Sequence, residues 1–95
     1  MSALILLLLF SFAEDETLSY VICKNGSIVR TIQVDWVESE KACITTYTKA
    51  GVGREVGRAS NKPYCQKWID NIRGNLTAAG WKCRDVSEQV KVISE

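Results

Sequence analysis

Histidine is absent from the 95 residues. That removes Ser-His-Asp and Cys-His nucleophile pairs, imidazole metal sites and the ordinary near-neutral proton shuttle together. Phenylalanine occurs only at Phe10 and Phe12, so any domain built from the rest of the chain must draw its core aromatics from tryptophan and tyrosine. The four cysteines, Cys23, Cys43, Cys65 and Cys83, are separated by 19, 21 and 17 residues. With no Cys-x-x-Cys pair among them, zinc sites and thioredoxin-like redox sites are both disfavoured. A membrane-spanning run is missing too: the apolar stretch from Leu4 to Leu9 falls far short of the roughly 20 residues a bilayer needs.

What the chain does have is an export pattern followed by one small domain. The apolar run ends in Ser11-Phe12-Ala13, whose small residues fit a signal-peptidase site, so residues 1–13 are expected to be a signal peptide. No basic residue precedes the run, a departure from the usual pattern, and no cysteine follows the cleavage site to carry a lipid anchor. Residues 14–95 then form a single domain, only roughly 40% hydrophobic. Such a core supplies little net stability, and exported domains of this size are commonly stapled by disulfides, here two.

The pattern predicts an α+β fold: an antiparallel meander of three to four strands, one C-terminal amphipathic helix packed on one face, and a short final strand. Residues 17–23 are β-rich, and Asn25-Gly26 is a strong hairpin signal. Residues 27–37 continue as a long strand with Ile28, Ile32, Val34 and Trp36 on one side, interrupted by Arg30. After a polar turn at 38–41, residues 42–49 return antiparallel. Residues 50–60 hold Gly51, Gly53 and Gly57 and read as either a loop or a fourth strand. Residues 61–79 are the clearest helix, with Ser60 as N-cap, Pro63 in the first turn and Gly80 as the left-handed residue after the end. Cys65, Trp68, Ile69, Ile72, Leu76 and Ala79 form its apolar stripe. Residues 81–86 make the final strand, and 90–93 a tail or edge segment.

Reach limits the disulfides. The helix carries the chain roughly 21 Å beyond Cys65, and the four residues from Gly80 to Cys83 return at most about 13 Å, too little to bring Cys83 back to Cys65. Two pairings remain. If residues 50–60 run back as a fourth strand, Cys43 joins Cys65 and Cys23 joins Cys83. If they do not, the helix reverses and Cys23–Cys65 with Cys43–Cys83 is expected. The strand topology favours the first.

Net charge is +1. It conceals an uneven distribution: residues 49–84 carry net +6, whereas residues 14–48 carry net −3. Arg54, Arg58 and Lys62, four residues apart, are expected to form a basic edge able to meet phosphate, lipid headgroups or an acidic protein surface. If Cys23 and Cys43 face the helix, alternation along the strands sends Tyr20, Ile22 and Ile44 to the other sheet face, with Val29 or Ile28 joining according to register. Such an apolar outer face suggests a partner, a dimer or cover by the tail at 90–93. Asp35, Glu38 and Glu40 cluster because they flank a turn; without an apolar wall to separate their pKa values they read as solvated charges, not a catalytic pair.

Cys23-Lys24-Asn25-Gly26, Val29-Arg30-Thr31, Tyr47-Thr48-Lys49-Ala50-Gly51, Asn75-Leu76 and Trp81-Lys82-Cys83-Arg84-Asp85 together resemble a group of short four-cysteine exported proteins of Gram-negative bacteria without an assigned function. The resemblance implies a periplasmic or secreted home and transfers no catalytic residue. The expectation is therefore a non-enzymatic exported binding module with no cofactor and no metal. Its partner would be an envelope or extracellular protein or an anionic surface, with no nucleic acid and no membrane span once the signal is cleaved. The alternative is an inhibitor that inserts the Gly-rich segment 50–60 into a secreted hydrolase.

Overall fold

The computed structural model describes residues 15–89, so the expected signal segment 1–13 and the tail at 90–93 lie outside the described residues. In chain order it contains β1 (Glu16–Asn25), β2 (Ile28–Val37), a single 3-10 turn (Glu38–Glu40), β3 (Ala42–Lys49), β4 (Val52–Ala59), α1 (Lys62–Ala78) and β5 (Lys82–Asp85). All strand pairs are antiparallel, in the order β4-β3-β2-β1-β5. The class is α+β as expected, with two corrections. The sheet has five strands instead of three or four, because the glycine-rich segment is strand β4 and the final strand joins the same sheet beside β1. The helix is not C-terminal, since β5 follows it.

Two two-residue turns close the hairpins. The β1–β2 ladder ends on Asn25 opposite Ile28, leaving Gly26-Ser27 as the loop; Gly26 alone has positive φ, at 64°. That is the pattern of a type II′ turn, so the Asn-Gly signal marked the hairpin while Gly-Ser makes the turn. The β3–β4 loop is Ala50-Gly51, with φ of 53° and 79°. Positive φ at both residues is the type I′ requirement, and Ala50 bears a steric cost of about 1–2 kcal/mol that glycine would not.

Both ends of α1 are capped. Asn61, not the expected Ser60, is the N-cap: its side-chain oxygen accepts from the Tyr64 amide at 3.2 Å. Pro63 sits in the first turn, where no intrahelical donor is lost. At the other end the Gly80 amide donates to the Thr77 carbonyl and the Trp81 amide to the Leu76 carbonyl, with Gly80 at φ 96°. This is a Schellman stop, completed by Leu76 and Trp81, which both join the apolar cluster.

The core lies between α1 and the sheet, and α1 touches all five strands. Val21, Cys23, Ile32, Val34 and Cys43 face Cys65, Ile69 and Leu76 across it. Ile28 departs from the expected inward row and is exposed, because it lies beyond the end of the helix. Ala79 leaves the stripe to serve as C-cap. Trp68 stays partly exposed, stacked where Gly57 leaves room: a Cβ on Gly57 would come within 2.4 Å of the indole. One bridge, Cys43–Cys65, ties β3 to α1 at a Cα separation of 6.3 Å. The other, Cys23–Cys83, joins directly opposed residues of β1 and β5. The favoured pairing is the one present, although only one bridge links helix to sheet; the other fastens an edge strand.

Thr45 is fully buried and its hydroxyl has no hydrogen-bond partner. Thr45→Val should raise stability by about 1 kcal/mol by removing that orphan group. Gly57→Ala should lower it by about 1–3 kcal/mol through overpacking against Trp68. Thermal unfolding of the oxidised protein checks both; opposite signs for two substitutions paired across β3 and β4 are the expected outcome.

Candidate functional site: a basic pole

Where the register puts each charge decides what can act together. β3 and β4 slip by one residue, Thr45 facing Gly57 and Thr46 facing Glu55, so Val56 is an extra, unpaired residue. A bulge of this kind inverts the side-chain alternation on either side of it. Arg54 therefore pairs with Tyr47 and shares the helix side of the sheet, while Arg58 pairs with Ile44 and points to the outer side. Two arginines four apart, expected on one edge, lie on opposite faces.

Arg58 is also neutralised. Its Nε and Nη2 donate to the two Glu55 carboxylate oxygens at 2.7 and 2.8 Å, and its Nη1 donates to Glu40 at 2.5 Å. These bonds hold the Glu55 carboxyl below its ordinary value. Lys62 sits 3.7 Å from Glu16 and over the Trp36 ring. The structure thus does not bring Arg54, Arg58 and Lys62 together as one basic surface.

The outer face is mixed rather than apolar. Tyr20 and Ile22 are neighbours on β1, but Gln33, Thr31 and Asp35 of β2 separate them from Ile44 on β3. Asp35 accepts from both the Thr17 hydroxyl and the Gln33 amide at 2.9 Å, which makes the centre of that face a polar network. Nor do the turn carboxylates converge: Glu38 accepts from the Trp36 indole and pairs with Lys41, and Glu40 pairs with Arg58. Among the described residues no group of three or more Cys, Asp and Glu side chains is placed to hold a metal ion.

A different basic cluster emerges from the ladders. The β1–β2 turn, the β3–β4 turn and the α1–β5 connection all lie at one end of the sheet. Reading across, one row contains Val52, Lys49, Arg30, Cys23 and Cys83; beside it, Lys24 pairs with both Val29 and Lys82; and Arg84 pairs with Ile22. Lys24, Arg30, Lys49, Lys82 and Arg84 therefore gather at that end, contributed by four strands, with Lys24, Lys82 and Arg84 on the outer side and Arg30 and Lys49 on the helix side. None of the acidic residues described shares these rows; Asp85, the acid next to Arg84 on β5, lies one row further in opposite Val21 and accepts from Ser87. Arg30 is held in place, donating to the Tyr47 hydroxyl at 3.0 Å with its guanidinium 4.5 Å above the Trp81 ring. Lys24, Lys49, Lys82 and Arg84 are exposed.

An open concavity of ≈ 460 Å³ lies on the outer face of this pole, with Ile22, Lys24, Asn25, Gly80, Lys82 and Arg84 in its lining. Directly opposed lysines, Lys24 and Lys82, repel each other and lower the stability of the β1–β5 pairing. A pocket lined by three cations and no acid, maintained against that repulsion, has the electrostatics to receive an anionic group. Sequence reasoning missed it because Lys24 sits nearly sixty residues from Lys82 and no local motif links them; the one sequence-level signal was the absence of acid from residues 71–84.

No family model, curated protein or solved structure matches the chain. Fold and site together define a small disulfide-bonded α+β domain with a cationic pole, of the kind found outside the reducing cytoplasm.

Replacing Lys82 by Gln should raise stability at low salt by about 0.2–1 kcal/mol, the gain shrinking as salt screens the pair; chemical denaturation at two ionic strengths measures it. Glu55 gives a pH signature of defined sign. Its carboxyl is lowered in the folded protein, so its contribution is present above the ordinary carboxylate range and disappears as pH falls through the folded value. Melting curves between about pH 6 and pH 3 should show a smaller acid-induced fall in Tm for Glu55→Gln than for the parent protein.

Proposed function

We propose that this chain is an exported, non-enzymatic binding module that recognises an anionic ligand through the pole formed by Lys24, Lys49, Lys82 and Arg84. The observation that carries the reading is the convergence of exposed Lys24, Lys82 and Arg84 from β1 and β5 around a concavity whose lining holds no acidic side chain, with Lys49 at the same end of the sheet. Preorganisation supports it. The Cys23–Cys83 bridge fastens four-residue β5 to β1, so Lys82 and Arg84 need little ordering when a ligand arrives. The two disulfides and the resemblance to exported four-cysteine proteins support a periplasmic or secreted location. Among the described residues no helix is long and apolar enough to cross a membrane.

The inhibitor alternative draws no support from the geometry of residues 50–60. Most of that segment is paired as β4, and what projects from the sheet is the two-residue Ala50-Gly51 turn.

Retention on immobilised heparin as a polyanion probe tests the reading. The protein should elute at higher salt than a net charge of +1 suggests. Lys24→Glu and Lys82→Glu should each weaken retention severalfold, whereas Arg58→Glu, on a residue already bonded to two glutamates, should leave it nearly unchanged. Equal effects from all three variants would overturn the assignment to this pole.

A further inference from the structure

The cationic pole is also where exposed aliphatic side chains collect. Ile28 is 57% exposed, Val29 46% and Val52 58%. Each begins the strand that follows a hairpin turn at this end: Ile28 and Val29 open β2 after Gly26-Ser27, and Val52 opens β4 after Ala50-Gly51. The same ladders that gather the cations interleave these residues with them. Val29 lies opposite Lys24, and Val52 lies opposite Lys49. The inner side of this corner, beyond the cover of α1, is a second concavity of ≈ 430 Å³ lined by Tyr47, Lys49, Ala50, Val52, Arg54 and Val56.

We infer that this end of the molecule docks onto the surface of an anionic lipid bilayer, with the Gly26-Ser27 and Ala50-Gly51 turns leading and Ile28, Val29 and Val52 entering the headgroup layer while Lys24, Lys49, Lys82 and Arg84 meet lipid phosphates. This rests on the anionic-ligand reading and names the ligand's class. A soluble anion would use the cations alone and leave three large aliphatic side chains in water. An anionic bilayer uses both, because its interface offers phosphate outside and hydrocarbon a few ångströms within. The arrangement also matches length: lysine and arginine side chains can reach outward to phosphate level while shorter valine and isoleucine side chains at the turn tips penetrate. At the opposite end of the sheet Glu38, Glu40 and Glu16 are matched by Lys41, Arg58 and Lys62, so that end has no comparable cationic excess and the charge distribution favours docking by the pole.

Co-sedimentation of the oxidised protein with phosphatidylcholine vesicles, with and without phosphatidylglycerol, tests the inference. Binding to the anionic vesicles alone is expected, weakening about fivefold for each of Lys24→Gln and Lys82→Gln, the equivalent of about 1 kcal/mol per basic side chain at the surface. Ile28→Ser and Val52→Ser leave the charge unchanged and replace exposed side chains, so the fold persists. Each should weaken vesicle binding about fivefold or more while leaving heparin retention as it was. Serine variants that sediment like the parent protein would overturn the docking mode. Heparin retention without any vesicle binding would overturn the lipid assignment while the anionic-ligand reading stands. Loss of both would overturn both.

Discussion

The pairing of β4 with β3 governs the course of everything after it in the chain. By running back along β3, β4 returns the backbone to the Cys43 end of the sheet, so α1 starts there and Cys65 in its first turn meets Cys43. The helix then crosses all five strands and stops at the Schellman turn, delivering β5 beside β1, where Cys83 faces Cys23. Without β4 the helix would begin at the other end and the opposite disulfide pairing would follow. The basic pole depends on the same pairing, because only this path sets Lys82 and Arg84 beside Lys24 and Ile22.

That pairing carries an irregularity with large consequences. The extra residue at Val56 lets β4 continue to Ala59 while changing which face its side chains occupy. Gly57, just after the bulge, is the point at which Trp68 rests on the strand, so helix packing and bulge are coupled at one position. The inversion also separates Arg54 from Arg58 and lets Arg58 engage Glu55 and Glu40 on the outer side. A bulge, bound arginine and glycines are devices that blunt an edge strand against pairing with other chains.

Much of the fold was legible because its signals are local. Alternation, the Asn-Gly pair and the stripe of Cys65, Ile69, Ile72 and Leu76 act within a few residues, and so do Pro63 and Gly80 at the helix ends. The Ala50-Gly51 turn was not, since Ala50 gives no hint that it adopts positive φ; the strands on either side impose it. The N-cap shifted by one residue, from Ser60 to Asn61, because both side chains can cap and helix placement chose between them. Of the candidate binding residues, Tyr20, Ile22 and Ile44 do occupy the outer face, but their neighbours across the ladder are polar.

By itself the sequence determined the α+β class, the helix and its stops, the hairpin at Gly26, the need for two bridges, and an uneven distribution of charge. It could do so because hydrophobic period, turn chemistry and cysteine reach operate along the chain. The tertiary structure alone decided which charges act together. A spacing of four residues promised one basic edge, and a single unpaired residue at Val56 divided it between two faces. Lys24 and Lys82, distant in the chain, became direct neighbours through strand register, a long-range property that no local pattern encodes. Folding thus mixed the basic and acidic halves of the chain. Lys24 and Arg30 from the acidic half joined Lys49, Lys82 and Arg84 at one end of the sheet, while Arg58 and Lys62 from the basic half met Glu40 and Glu16 at the other.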